Sequence, residues 1–138
     1  IRLMEKRKKE EEEKFRKLDA SIKKYYPMVT RYEWEDKEYK VIPAAKCEEL
    51  ILESRQLHHC VGTSSDYMKK MAEGRSWILF LRKKINLEES YYTIELDMQT
   101  KEIKQWYSTF DRQPDKKTVS KVLKHWLNDV VRNHELRT

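Results

Sequence analysis

Three stretches point to an α+β domain: an antiparallel meander sheet with helices packed mainly on one face and a protruding charged N-terminal helix. Residues 91–96, Tyr-Tyr-Thr-Ile-Glu-Leu, alternate so that Tyr92, Ile94 and Leu96 share one face of a strand. Residues 77–81, Trp-Ile-Leu-Phe-Leu, form a short unbroken apolar run, as expected of a strand covered on both faces at the centre of a sheet. Val119, Val122, Leu123, Trp126, Leu127, Val130 and Val131 recur three and four apart, which predicts a terminal helix with a wide apolar stripe.

The remaining elements follow in chain order. Residues 2–24 contain no Gly or Pro and are mostly Lys, Arg and Glu, so they predict a helix with pairs such as Glu10 with Lys14 and Glu13 with Lys17. Only the turns bearing Phe15, Leu18 and Ile22 offer an apolar face, so the first half stands out as an arm or connector. Residues 1–26 are therefore set apart from a single domain over 27–138. The sequence opens at Ile1 with a helical pattern already under way, as a piece of a longer protein would.

Pro27 ends the first helix, because the residue before proline is pushed toward extended geometry. Residues 29–34 and 39–42 then flank a polar turn and predict a hairpin. From near Ala44 a helix is expected to carry Cys47, Leu50, Ile51, Leu57 and Val61 on one stripe, with a gap at Ser54, and to end against Gly62. Thr63, Ser64 and Ser65 offer caps for a short helix over 66–73 that buries Tyr67, Met68 and Met71 and stops at Gly74. Residues 102–107 alternate again and complete the meander, and Asp115 is placed to cap the last helix.

Composition narrows the class of protein. Hydrophobic residues make up 38% and charged residues 39% of 138 positions, so one modest core is affordable and much of the charge must be solvated. The net charge of +6 favours an anionic partner, but 24 acidic residues interspersed among 30 basic ones dilute that signal. Two cysteines give no disulfide framework and suit a cytoplasmic setting. No apolar run approaches the roughly 20 residues that span a bilayer, so no membrane partner is expected.

The densest chemistry lies at Leu57-His58-His59-Cys60-Val61-Gly62. On a continuing helix, His58, His59 and Cys60 would point about 100° apart and could not converge unless the helix ended early. A nucleophilic Cys60 needs a base, from His58, His59 or a remote residue such as His125, and Glu95 or Gln105 to orient it or hold substrate. Against this, a helix C-terminus disfavours a thiolate, buried cysteine is ordinary packing, and histidine there serves well as a cap. Zinc would need Cys47, Cys60, a histidine of the motif and His125 or His134. No C-x-x-C or H-x-x-x-H pair exists, and the two thiols lie ~20 Å apart along one helix, so no metal and no cofactor is expected. For nucleic acid, Tyr91, Trp106 and Tyr107 with Lys101, Lys104, Arg112, Lys116 and Lys117 combine aromatic faces and cations, which suits single strands.

The order of these features resembles the PcfJ-like family. It comprises a helix ending in Leu-His-His-Cys-Val-Gly, Tyr67, Gly74, an apolar strand ending at Arg82, the Tyr-Thr-Ile-Glu-Leu strand, Gln105, and a closing helix with Trp126-Leu127. His59-Cys60-Val61 matches the family's HCV signature, and the resemblance covers roughly residues 40–131. It implies a setting in conjugative plasmids, phages and other mobile elements of bacteria rather than a particular reaction. The sequence departs from the family pattern after Gln105, where Trp106-Tyr107-Ser108-Thr109-Phe110-Asp111 stands in place of a Gly-containing loop with an asparagine.

The reading is a mobile-element accessory domain that associates with nucleic acid and has a pocket at the His-His-Cys-Val turn. The competing readings are an enzyme using Cys60 and a histidine on an anionic substrate, and a module that docks a protein partner through the N-terminal helix.

Overall fold

The computed structural model describes the backbone of residues 2–137 and the side chains of residues 2–132. Its frame is a five-stranded antiparallel meander, β1 (Trp34–Glu35), β2 (Tyr39–Pro43), β3 (Ser76–Lys83), β4 (Tyr92–Asp97) and β5 (Ile103–Tyr107), in that spatial order. The apolar run at 77–81 is the central strand, hydrogen-bonded to β2 on one side and β4 on the other. Register fixes the two faces. Leu79 pairs with Ile94 and Leu81 with Tyr92, while Ile78 pairs with Glu95 and Phe80 with Thr93.

Helix α1 (Arg2–Tyr25) is exposed over residues 2–14 and docks through Phe15, Leu18 and the fully buried Ile22. It lies along α3 (Asp66–Ala72), and its Asp19 carboxylate accepts the Cys47 N–H at 2.8 Å, capping α2 (Cys47–Leu57) from outside. Burial and the Asp19 carboxylate push the Cys47 thiol up to about 12, so this sulfur is packing material. The root of α1 is pinned at Gly74, whose φ of +71° lets the chain turn after α3. A Cβ there would meet the Tyr25 ring at 2.8 Å.

Helices α2 and α3 cover the face of Phe80, Thr93 and Glu95, whereas α4 (Lys116–Arg137) covers the other. The indole N–H of Trp126 in α4 donates to the Tyr32 carbonyl at 2.8 Å, and the ring of Tyr32 meets that of Trp126 edge-on at 6.3 Å. Both faces of the sheet are therefore buried, which explains why the central strand is apolar on both sides.

Three local expectations need correction. Residues 29–32 do not extend the first hairpin strand; Tyr26–Met28 and Thr30–Tyr32 are successive 3-10 turns, and only Trp34 and Glu35 pair with β2. Pro27 starts that turn, the Thr30 hydroxyl bonds back to the Pro27 carbonyl at 3.0 Å, and burial of Tyr32 under Trp126 holds the bend. Asp115 does not cap α4 with its carboxylate, which accepts the Tyr91 hydroxyl at 2.9 Å instead; its backbone is left-handed. Helix α2 ends at Leu57 rather than running to Gly62.

Candidate functional site

The early end of α2 shapes the site. His58 takes the left-handed conformation (φ 53°, ψ 47°) and its N–H closes on the Ser54 carbonyl at 2.8 Å. Gly62 does a different job from the one its position suggests. Its φ is not positive, and a Cβ there would fall on the Leu50 carbonyl and the Ile51 Cα, so the returning chain lies directly on the backbone of α2.

With the helix ended, the three reactive groups of the motif still diverge. His58 is exposed and stacks on Phe110, centroids 4.9 Å apart and planes 10° from parallel. His59 turns inward and is buried, with Nε2 2.8 Å from the Thr93 hydroxyl and Nδ1 3.3 Å from that of Ser54. Cys60 is exposed and lines a cleft.

Behind His59 runs a buried polar chain. Arg82 holds the Glu53 carboxylate with two nitrogens, at 2.5 and 2.9 Å, and Ser90 donates to the same carboxylate. Thr93 donates to Glu53 at 3.0 Å, so its oxygen must accept the proton on His59 Nε2. That leaves Nδ1 as acceptor for the Ser54 hydroxyl, whose oxygen takes the Gly62 N–H. Each polar group fixes the next, from the ion pair to the turn. Burial pushes the His59 pKa down, opposed by its own backbone and by Glu53 and Asp111, so the ring is neutral at pH 7, as this tautomer requires. With both ring nitrogens engaged, His59 positions the turn rather than serving Cys60 as a base.

The cleft has a volume of about 260 Å³ and is walled by Cys60, Val61, Tyr67, Ile78, Thr93, Glu95, Gln105, Tyr107 and Asp111, with His59 at its back. Glu95 is 3% exposed; Gln105 donates to it at 2.9 Å and Ser76 at 3.0 Å, and the Lys70 ammonium lies 3.7 Å away. Gln105 also donates to the Tyr67 hydroxyl at 3.0 Å. Burial raises the Tyr67 pKa, with Cys60 and Glu95 adding to the effect, which keeps its O–H protonated as a donor. The rim carries backbone strain: Phe110 (φ 51°) and Asp111 (φ 58°) are consecutive left-handed residues without being glycine.

Next to the cleft a second depression is lined by Lys70, Gly74, Arg75, Ser76, Asp97, Gln99 and Lys104. A bulge places Lys104 there. Glu95 pairs with Gln105 and Leu96 with Ile103, so Lys104 is the unpaired extra residue of β5.

Of the residues singled out in sequence, His59, Cys60, Glu95 and Gln105 meet at the cleft, while His58 lies outside it on Phe110. The proposed nucleic-acid set separates. Trp106 is half-buried on the opposite face, 5.5 Å from the Tyr92 ring, and Tyr91 stacks on Tyr39. The Lys101 ammonium donates to the Met98 carbonyl, and its pKa is lowered by burial and by Arg31. Arg112 is exposed in the loop before α4, and Lys116 and Lys117 are exposed in its first turn. Of this set, Tyr107 lines the cleft and Lys104 the depression beside it. His125 pairs with Asp129 at 3.1 Å, and the His134 side chain is outside the described residues; among those described, no three His, Cys, Asp or Glu side chains group to hold a metal.

Sequence reasoning did not reach Glu53, Arg82, Thr93 or Lys70. The gap at Ser54 in an otherwise apolar stripe was the available signal, since a polar side chain on a core-facing position must find a buried partner.

The class is thus an α+β domain with a small polar cleft where a helix end meets a sheet face. The chain belongs to the PcfJ-like proteins, whose family model matches residues 1–123, the N-terminal arm included. It is 33% identical over 94 residues to a protein of Listeria innocua serovar 6a bearing the name "Uncharacterized protein Lin1253/Lin1744"; the match covers 56% of this chain. The match takes in about 20% of that relative's length. No solved structure matches the chain.

Proposed function

We propose that this chain is an accessory domain that associates with single-stranded nucleic acid, in the mobile-element setting its family resemblance implies. The supporting observation is the bulge in β5, which brings Lys104 to the same depression as Lys70 and Arg75, at the mouth of a cleft lined by Tyr67 and Tyr107. Cations beside a cleft with aromatic walls suit a strand whose phosphates lie outside and whose bases turn inward. Arg75 also pairs with Glu73, so Lys104 is the freer cation of the two. Fluorescence anisotropy with a labelled oligodeoxythymidine tests this. Lys104→Ala weakens binding and lowers the salt slope by about one phosphate contact. Equal affinity and equal slope in the variant and the parent overturn the proposal.

The enzyme reading keeps one observation in its favour, the exposed thiol of Cys60 opening into the cleft. Alkylation of Cys60 by iodoacetamide that has already reached its plateau rate in mildly acidic buffer would favour that reading. The interaction reading draws on Leu3 and Met4, exposed at 61% and 75% on the arm. Loss of a larger assembly on deleting residues 2–14, with strand binding intact, would favour it.

A further inference from the structure

Resting on the nucleic-acid reading, we infer that the cleft seats one unpaired guanine, held by its Watson–Crick edge on Glu95. Size is the first constraint: about 260 Å³ accommodates a single planar heterocycle with part of its sugar, and neither a base pair nor a helix. The apolar surface needed for a ring comes from Val61, Ile78 and the two tyrosines.

Polarity then selects among the bases. Both amide hydrogens of Gln105 are committed, to Tyr67 and to Glu95. The Thr93 hydroxyl both donates to Glu53 and accepts from His59, so it offers a ligand little. Glu95 and Asp111 are carboxylates and only accept, whereas Tyr67, having accepted from Gln105, has an O–H that a ligand acceptor can take from the weakly accepting Cys60 sulfur. A carboxylate has roughly four lone-pair positions. On Glu95, Gln105 occupies one on Oε1 and Ser76 one on Oε2, and Lys70 at 3.7 Å is a charge contact rather than a hydrogen bond. By this count one acceptor position remains on each oxygen.

A ligand fitting this wall needs two adjacent N–H donors and, beyond them, an acceptor for a hydroxyl. Guanine has that edge, with N1–H and N2–H₂ adjacent and O6 next to them. Adenine and cytosine each present one donor beside an acceptor, and thymine a donor between two acceptors. An ammonium ligand gains less, because Lys70 already supplies Glu95 with a countercharge. The depression with Lys104 and Arg75 lies where a flanking phosphate would pass.

The test is anisotropy on the full chain with labelled deoxythymidine strands carrying one central guanine, adenine, cytosine or hypoxanthine. The guanine strand is expected to bind about tenfold more tightly than the others, the scale of one bidentate base contact. Hypoxanthine, which lacks the N2 amine, is expected to lose most of that gain. Glu95→Gln, with its fold checked by circular dichroism, is expected to bring the guanine strand to the affinity of the adenine strand, and Tyr67→Phe to reduce the preference severalfold. Equal binding of all four strands, preference for another base, or a guanine preference that survives Glu95→Gln overturns this inference and leaves strand association standing. Failure of every strand to bind overturns both. The hypoxanthine comparison needs no variant and decides the matter if Glu95→Gln does not fold.

Discussion

On the face toward α4, the strands contribute Trp77, Leu79, Leu81, Tyr92, Ile94 and Leu96, all 0% exposed, and the two polar groups among these side chains each donate to a carbonyl, the Tyr92 hydroxyl to Pro114 and the Trp77 indole N–H to Ala44. On the face toward α2 and α3, β3 to β5 contribute the buried Ile78 and Phe80 together with Arg82, Thr93, Glu95 and Gln105, the last four each tied to a partner on a helix, a loop or a neighbouring strand. Apolar packing tolerates changes of shape that conserve volume, whereas a hydrogen-bond chain fails when one link goes. Both faces bury core, and the second in addition fixes the geometry of one turn.

Substitutions matched across the two faces sharpen this contrast. Glu53→Ala strands the Arg82 guanidinium, whose side chain is only 11% exposed, and is expected to cost about 3–5 kcal/mol in urea unfolding. Leu79→Met on the other face is expected to cost less than about 1.5 kcal/mol. Equal losses would abolish the distinction. Thr93→Val keeps the shape but removes the link between His59 and Glu53, with an expected loss of about 1–3 kcal/mol.

Acidification breaks the same chain more gently. The folded-state pKa of His59 is depressed, so between that value and its ordinary 6.5 the unfolded chain binds the extra proton. Stability contributed by the neutral ring is complete above pH 6.5 and is lost as pH falls through the folded value. The melting temperature is expected to drop as pH is lowered from 7, and to drop less in His59→Gln. At the small end, Arg16→Ala on the arm removes a solvent-exposed pair with Glu13 and is expected to leave the melting temperature unchanged.

The apolar periodicities made most of the frame legible. Strands β3 and β4, the α4 stripe and the stop at Gly74 all follow from one-dimensional patterns, because each depends on a local period or a local backbone demand. Of the site, His59, Cys60, Glu95 and Gln105 are legible in the sequence, whereas the groups that hold them are not. That Glu53 meets Arg82 depends on residues 29 apart in sequence, and that Lys104 faces the depression beside the cleft depends on one bulge, neither of which a periodicity encodes. The end of α2 is not legible, because Gly62 has the look of a left-handed stop. His58 bears that conformation, and the glycine is needed for close approach to Leu50 and Ile51. The family match extends over the arm, beyond the residues 40–131 on which the resemblance rests.

The seat of Tyr25 on Gly74 has a mechanical consequence. With no space at that contact for even a methyl group, the base of the long charged rod is clamped to the corner that leads into Ser76 and so to Glu95. Residues 2–14 then form a stiff boom about 20 Å long, and anything grasping its tip is kept at a set distance from the cleft.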